Sequence, residues 1–272
     1  MPKKRILFIN QEIAPYVPAA EFSTLSRELA QGIQSRGYEV RTVMPKYGLV
    51  NERRNQLHEV IRLSGMNIII SDADHPLIIK VASMQPSRIQ VYFIDNDDYF
   101  QKLDSDEDIY GSNRTDNDER AIFFSRGTME TIKKLKWDPA IVHCSGWITA
   151  LGPLYLRRVC GDEPGYKATK VVYSVIPGEL TGGVNEEILN KMKADGIPAR
   201  DIKKFKSMAT DTNLLHKIAI EYSDAVIFYE ENPDSELLDF VKSKEIPYIT
   251  GEELKAKGID AYAELYNQLS PK

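Results

Sequence analysis

The chain has 272 residues, enough to bury the core of one large domain or two small ones, and its 42% hydrophobic and 28% charged content is that of an ordinary globular protein. A formal net charge of −5 argues against an extended nucleic-acid footprint, and no apolar stretch is long enough to span a bilayer. The basic start Lys3-Lys4-Arg5 is followed by only Ile6-Leu7-Phe8-Ile9 before Asn10, too short for a secretory leader, so a cytoplasmic location is expected. Cys144 and Cys160, with His58, His75, His143 and His216 scattered, form neither a disulfide framework nor a metal-ligand spacing, and no metal or cofactor is expected.

In chain order, Ile6-Leu7-Phe8-Ile9-Asn10 reads as a buried strand. A turn over residues 11–20 follows, where Pro15 and Pro18 interrupt both strand and helix. Phe22, Leu25, Leu29 and Ile33 recur at helical spacing, with Ser23 as the N-cap and Gly37 as the C-cap glycine. Residues 39–44 form a second strand, completing a βαβ unit with a right-handed crossover. Such a strand–loop–helix is where open α/β sheets bind ligands. Residues 11–24 nevertheless contain no glycine and no lysine. The position suits phosphate binding and the chemistry does not.

Residues 51–62 read as a polar, helix-like segment, with Glu52, Arg53 and Arg54 as a solvated face. The β-branched runs 66–71 and 77–82 suggest a hairpin or short connection, and residues 89–94 another strand. The acidic cluster at 95–98 lacks the spaced ligands of a calcium loop and reads as a turn capping a helix before Tyr99-Phe100. Residues 102–117 carry no apolar periodicity and are expected as an exposed loop bearing Tyr110-Gly111. A helix to about Lys136 then starts at Asp116 or Asn117.

Further strands are expected at 140–144, 170–176 and 225–229, and helices at 185–194, 202–208 and 213–222. Gly178, Gly182 and Gly183 could bring backbone near a phosphate, but Glu179 among them opposes an anion, so they read as a turn. Residues 235–272 suggest a closing helix–strand–helix with Thr250-x-x-Glu253 as a capping box. The pattern predicts an α/β fold: a Rossmann-like, doubly wound, mostly parallel sheet with flanking helices, in which residues 231–272 close the domain formed by 1–230.

Several ordered blocks resemble the ADP-glucose type of bacterial glycogen and plant starch synthases. They are residues 6–16, Arg41-Thr42-Val43-Met44-Pro45-Lys46-Tyr47-Gly48, Asp95-Asn96 ahead of Tyr99-Phe100, the turn around Trp147, and residues 213–229. The resemblance covers roughly residues 1–230. It implies one half of a GT-B glycosyltransferase, the half that handles the glucan acceptor, and no donor-binding second domain is expected.

Within the resemblance, the family's Lys-Thr-Gly-Gly-Leu loop falls on Pro18, Ala19, Ala20, Glu21 and Phe22. Its His-Asp-Trp-His turn becomes Ser145-Gly146-Trp147-Ile148, so the histidine near the reacting sugar is replaced by Ile148. His143, just before that motif, reads as structural. The family aspartate beside the sugar site aligns with Asp116, which serves equally as a plain N-cap. The resemblance therefore implies no intact catalytic residue, and candidate cleft residues Glu12, Tyr16, Asp116, Asn117, Trp147 and Gly182.

The expected role is non-catalytic: a protein that binds an α-glucan or a full-length synthase, or self-associates, with no nucleic-acid or membrane partner. The alternative is a transferase moving glucose from ADP-glucose to a glucan, active with a partner chain. A generic nucleotide-binding domain would need an intact phosphate loop, which residues 11–24 lack.

Overall fold

The computed structural model describes residues 3–101, 108–178 and 180–270; Glu179 and the 102–107 part of the expected loop lie outside them. The elements run β1 (Arg5–Asn10), α1 (Glu21–Ser35), β2 (Glu39–Pro45), β3 (His58–Glu59), β4 (Met66–Ile70), β5 (Ala73–Met84), β6 (Ile89–Asp95), α2 (Asn117–Leu135), β7 (Ile141–Ser145) and α3 (Gly152–Val159). There follow β8 (Lys170–Val175), α4 (Ile188–Ala194), α5 (Ala199–Ile202), α6 (Thr212–Glu221), β9 (Ala225–Phe228), α7 (Ser235–Ser243), β10 (Tyr248–Ile249), α8 (Gly251–Lys257) and α9 (Ile259–Leu269).

The strands lie in the order β10-β9-β8-β7-β1-β2-β6-β5-β3, with β4 paired to β5. From β10 to β6 every pairing is parallel, and β5 with its partners is antiparallel. The doubly wound expectation is met. The chain winds outward from β1 through β2 to β6, then returns to lay β7 on the other side of β1. Ile6 accordingly faces Val40 on one side and Ile141 on the other. The switch point between β1 and β7 is where the carboxyl ends of two strands part and a crevice can form.

Covered on both faces, the central strands are largely apolar, and residues 6–9 are sealed from solvent. Burying each such side chain contributes about 1.5–3 kcal/mol. Alternation along the strands divides the core in two. Phe8 and His143 meet Tyr266 of α9, while Cys144 meets α3 at Gly152. The C-terminal segment is thus part of the same packing. β10 extends the sheet, and Tyr38 donates to Asn267 at 2.7 Å.

His143 is structural, as read from the sequence. Its Nδ1 lies 2.6 Å from the Tyr266 hydroxyl and its Nε2 2.7 Å from Ser174 Oγ, and burial lowers its pKa to about 3.

Several local readings are corrected. Residues 51–62 form successive turns leading into β3 and no helix, since residues 51–56 are all polar and offer no apolar face to bury. Glu52 is no mere solvated side chain: its Oε1 bridges Lys46 at 3.0 Å and Lys80 at 2.6 Å. Helix α1 starts with Ala20 as its cap; Ser23 sits inside, where its hydroxyl accepts from the Ala20 amide at 2.8 Å. The hairpin is present, but its turn is only Ser71-Asp72, both at positive φ, the geometry of a tight two-residue connection. Asn96 caps the short turn Asp97–Gln101 by accepting from the amides of Asp98 and Tyr99. Thr250 precedes α8 without a side-chain cap bond.

Candidate functional site

The loop after β1 is held by its own backbone. Gln11 donates to the Ser145 carbonyl across the switch point at 3.0 Å, Ala14 to Ser23 at 2.9 Å, and Tyr16 to Ile13 at 3.1 Å. Its outer stretch, Pro18-Ala19-Ala20, is exposed, whereas Glu12 is buried. The Glu12 carboxylate accepts from the Tyr110 hydroxyl at 2.6 Å. Burial raises its pKa above the ordinary range, and that hydrogen bond pulls the other way.

Tyr110 belongs to the segment 108–116, which the sequence suggested would be an exposed loop. In the structure Tyr110 is half-buried and Gly111 buried. The cause is Arg120, one turn into α2 and fully buried. Its guanidinium donates to the carbonyls of Tyr99 (2.9 Å), Gly111 (2.8 Å) and Tyr110 (2.6 Å) and to Asn117 Oδ1 (2.8 Å). Its Cζ lies 5.5 Å from the Trp147 ring centre and 5.9 Å from that of Phe100. A planar fork of donors can satisfy several carbonyls at once, which a point-charge lysine cannot.

The other candidates join the same segment. Asn117 donates to the carbonyls of Ser112 (3.0 Å) and Arg114 (2.7 Å). Asp116 stands at the N-cap of α2 but makes no cap bond; its Oδ1 accepts from Arg114 Nε at 2.8 Å instead. Gly182 donates its amide to the Ser112 carbonyl at 2.9 Å. A Cβ there would lie 2.1 Å from the Arg114 carbonyl oxygen and 2.4 Å from that of Asn113, so only glycine permits this approach. Its backbone donor is used by the chain itself.

Glu12, Asp116, Asn117, Trp147 and Gly182 therefore converge around segment 108–116. Tyr16 does not. It packs edge-on against Phe93 at 4.9 Å and borders a groove with Arg54, His58 and Arg88 on the outer side of β5. Ile148, in the turn Trp147–Thr149, is fully buried. Pro18 is exposed and carries no donor.

Sequence reasoning missed Arg120 and its supports. Tyr47 donates to the Gln11 carbonyl at 3.0 Å, and Lys191 lies 2.7 Å from both Asp118 and Glu119. The available signal was an arginine at the start of the apolar run Ala121-Ile122-Phe123-Phe124, where helical spacing from Asn117 and to Phe124 places it on a buried face. Among the described residues no group of three His, Cys, Asp or Glu side chains could hold a metal, and no helix is long and apolar enough to cross a membrane.

Comparison with known proteins gives the family and the fold. The family profile of the starch synthase catalytic domain matches residues 5–246. A glycogen synthase of Chlorobium luteolum is 31% identical over 231 residues, covering 78% of this chain and 46% of that protein. One from Chlorobaculum tepidum is 35% identical over 172 residues, covering 63% of this chain and 35% of that protein. The chain thus spans less than half the length of these relatives. Among solved structures, the catalytic domain of starch synthase IV from Arabidopsis thaliana, bound to ADP and acarbose, superposes with a TM-score of 0.69 at 16% identity. That match covers 93% of this chain and 53% of the other, and it shows the shared fold.

Proposed function

The chain belongs to the starch synthase catalytic domain family, and on that premise we propose that it serves α-1,4-glucan metabolism in the cytoplasm as a glucan- or synthase-binding accessory, without transferase activity of its own. The observation that carries this reading is the chemistry at the switch-point edge. Where the resemblance puts a phosphate-binding lysine the chain has exposed Pro18, and where it puts a histidine beside the sugar it has fully buried Ile148. The loop 11–20 contains no cation.

Moving glucose from a nucleotide sugar requires the departing negative charge to be met by positioned donors or cations. Losing a single positioned donor commonly costs about two to three orders of magnitude in rate. An isoleucine offers neither a donor nor a charge. The buried Arg120 meanwhile ties segment 108–116 to Asn117 and Trp147, two of the candidate cleft residues. That supports a role in binding.

The test combines two measurements on the purified protein: transfer of radiolabelled glucose from ADP-glucose to glycogen, with and without a cellular synthase, and co-sedimentation with glycogen. The expected result is no transfer by the protein alone, together with glycogen binding or a changed synthase rate. Clear turnover by the homogeneous protein would sink the proposal. Turnover that appears only with an added, itself inactive polypeptide would favour the transferase completed by a partner chain.

A further inference from the structure

The carboxyl ends of β8 and β9 open onto a cavity of about 440 Å³, bordered by the buried imidazole of His216. This volume falls within the roughly 300–1,000 Å³ typical of small-ligand sites. His216 Nδ1 lies 2.7 Å from the Tyr173 hydroxyl inside the core, so that edge of the ring is turned inward. Nε2 has no hydrogen-bond partner among the described residues. A ring nitrogen open to the cavity and without a protein partner can bond a ligand that enters it.

The rim is built from two helix starts. Asp211 caps α6, its Oδ1 accepting from the Leu214 amide at 3.0 Å, and Asp234 caps α7, its Oδ1 accepting from the Leu237 amide at 3.1 Å. Both aspartates line the cavity, and the second oxygen of each has no partner among the described residues. The positive ends of the two helices partly offset these charges, so the rim presents strong hydrogen-bond acceptors more than a counter-charge for a cation. Ile176, Phe228 and Leu237 supply apolar wall. Apolar wall beside convergent acceptors matches a ring with a C–H face and a rim of hydroxyls.

We propose that this cavity binds one uncharged pyranose unit of a glucan, with Asp211 and Asp234 accepting hydrogen bonds from its hydroxyls and His216 Nε2 bonding a third. The site rests on the glucan-binding reading above and locates it at named atoms. It lies at the ends of β8 and β9, whereas Pro18 and Ile148 follow β1 and β7.

The test follows the His216 ring resonances by NMR while the full chain is titrated with maltotriose, with glycogen co-sedimentation run in parallel. Asparagine caps helices as well as aspartate does, so D211N and D234N keep the fold, which thermal melting verifies. The His216 resonances should shift with maltotriose, and each variant should weaken binding by roughly five- to ten-fold. Glycogen binding with unmoved His216 resonances and unchanged affinity in both variants overturns the cavity and leaves the glucan-binding reading standing. Maltotriose shifting His216 without glycogen binding supports the cavity and limits the glucan-binding reading to short chains. A shift caused by lysine amide and not by maltotriose overturns the assignment, and binding of neither maltotriose nor glycogen overturns both.

Discussion

Replacing Arg120 with methionine keeps the bulk of the side chain and removes its donors. The guanidinium is the common partner of the carbonyls of Tyr99, Tyr110 and Gly111 and of Asn117 Oδ1, all inside a fully buried site. Each acceptor left without a partner costs about 1–3 kcal/mol, although relaxation of segment 108–116 toward water recovers part of this. With four acceptors affected and part of the loss recovered by relaxation, we expect R120M to cost about 3–5 kcal/mol. Against a total stability of about 5–15 kcal/mol this is a large fraction. At about 2–4 °C per kcal/mol for a chain of this size, the midpoint should drop by roughly 6–20 °C.

Urea denaturation measures the loss, and limited proteolysis locates it, with new cleavage expected within 108–116. Arg120→Lys should lose nearly as much, because one ammonium cannot reach four separated acceptors. A loss below about 1 kcal/mol in R120M, or a lysine variant equal to the parent, would refute the view that the forked donor set organises this segment.

Burial lowers the pKa of His143 to about 3 and that of His216 to about 4, both below the unfolded value of about 6.5. The unfolded chain therefore takes up these protons first. Their contribution is complete above about pH 6.5 and is lost as pH falls, by up to about 1.4 kcal/mol per unit for each ring. The buried carboxyls of Glu12, Asp118 and Asp195 are raised, which is a contribution of opposite sign, so His143→Gln provides the differential measurement. Urea midpoints should fall between pH 7.5 and 5 and fall less steeply in the variant; equal slopes would contradict the assignment. Gly182→Ala places a methyl against the carbonyls of Arg114 and Asn113 and should cost about 1–3 kcal/mol, read by thermal melting. An unchanged midpoint would show that the two backbones separate freely.

The central strands were legible because they are buried on both faces. Runs such as Ile6–Ile9 and Val171–Val172 are apolar and β-prone, with no polar side chain to obscure a strand. Residues 51–62 misled because good helix formers such as Glu52 and Arg53 carry intrinsic propensity without an apolar stripe, and propensity alone does not hold a short helix. Segment 108–116 misled in the opposite way. It has no apolar period, yet Arg120 draws its carbonyls inward through hydrogen bonds that no hydropathy pattern records.

The candidate cleft shows the same division between alignment and physics. The resemblance made Glu12, Asp116, Asn117, Trp147 and Gly182 candidate cleft residues, and the structure brings them together around segment 108–116. Most of their described polar contacts are with the chain itself: Glu12 with Tyr110, Asp116 with Arg114, Asn117 with Arg120, Gly182 with Ser112. Side chains engaged in this way hold a loop in place whether or not a ligand is present. Pro18 is exposed and has no part in that network, and Ile148 adds only apolar packing. On the proposed reading, Pro18 and Ile148 stand where the resemblance puts a lysine and a histidine, and neither position takes part in the hydrogen bonds that hold segment 108–116. The architecture and the proposed absence of charge-stabilising groups therefore rest on different residues, and substitutions can test them separately.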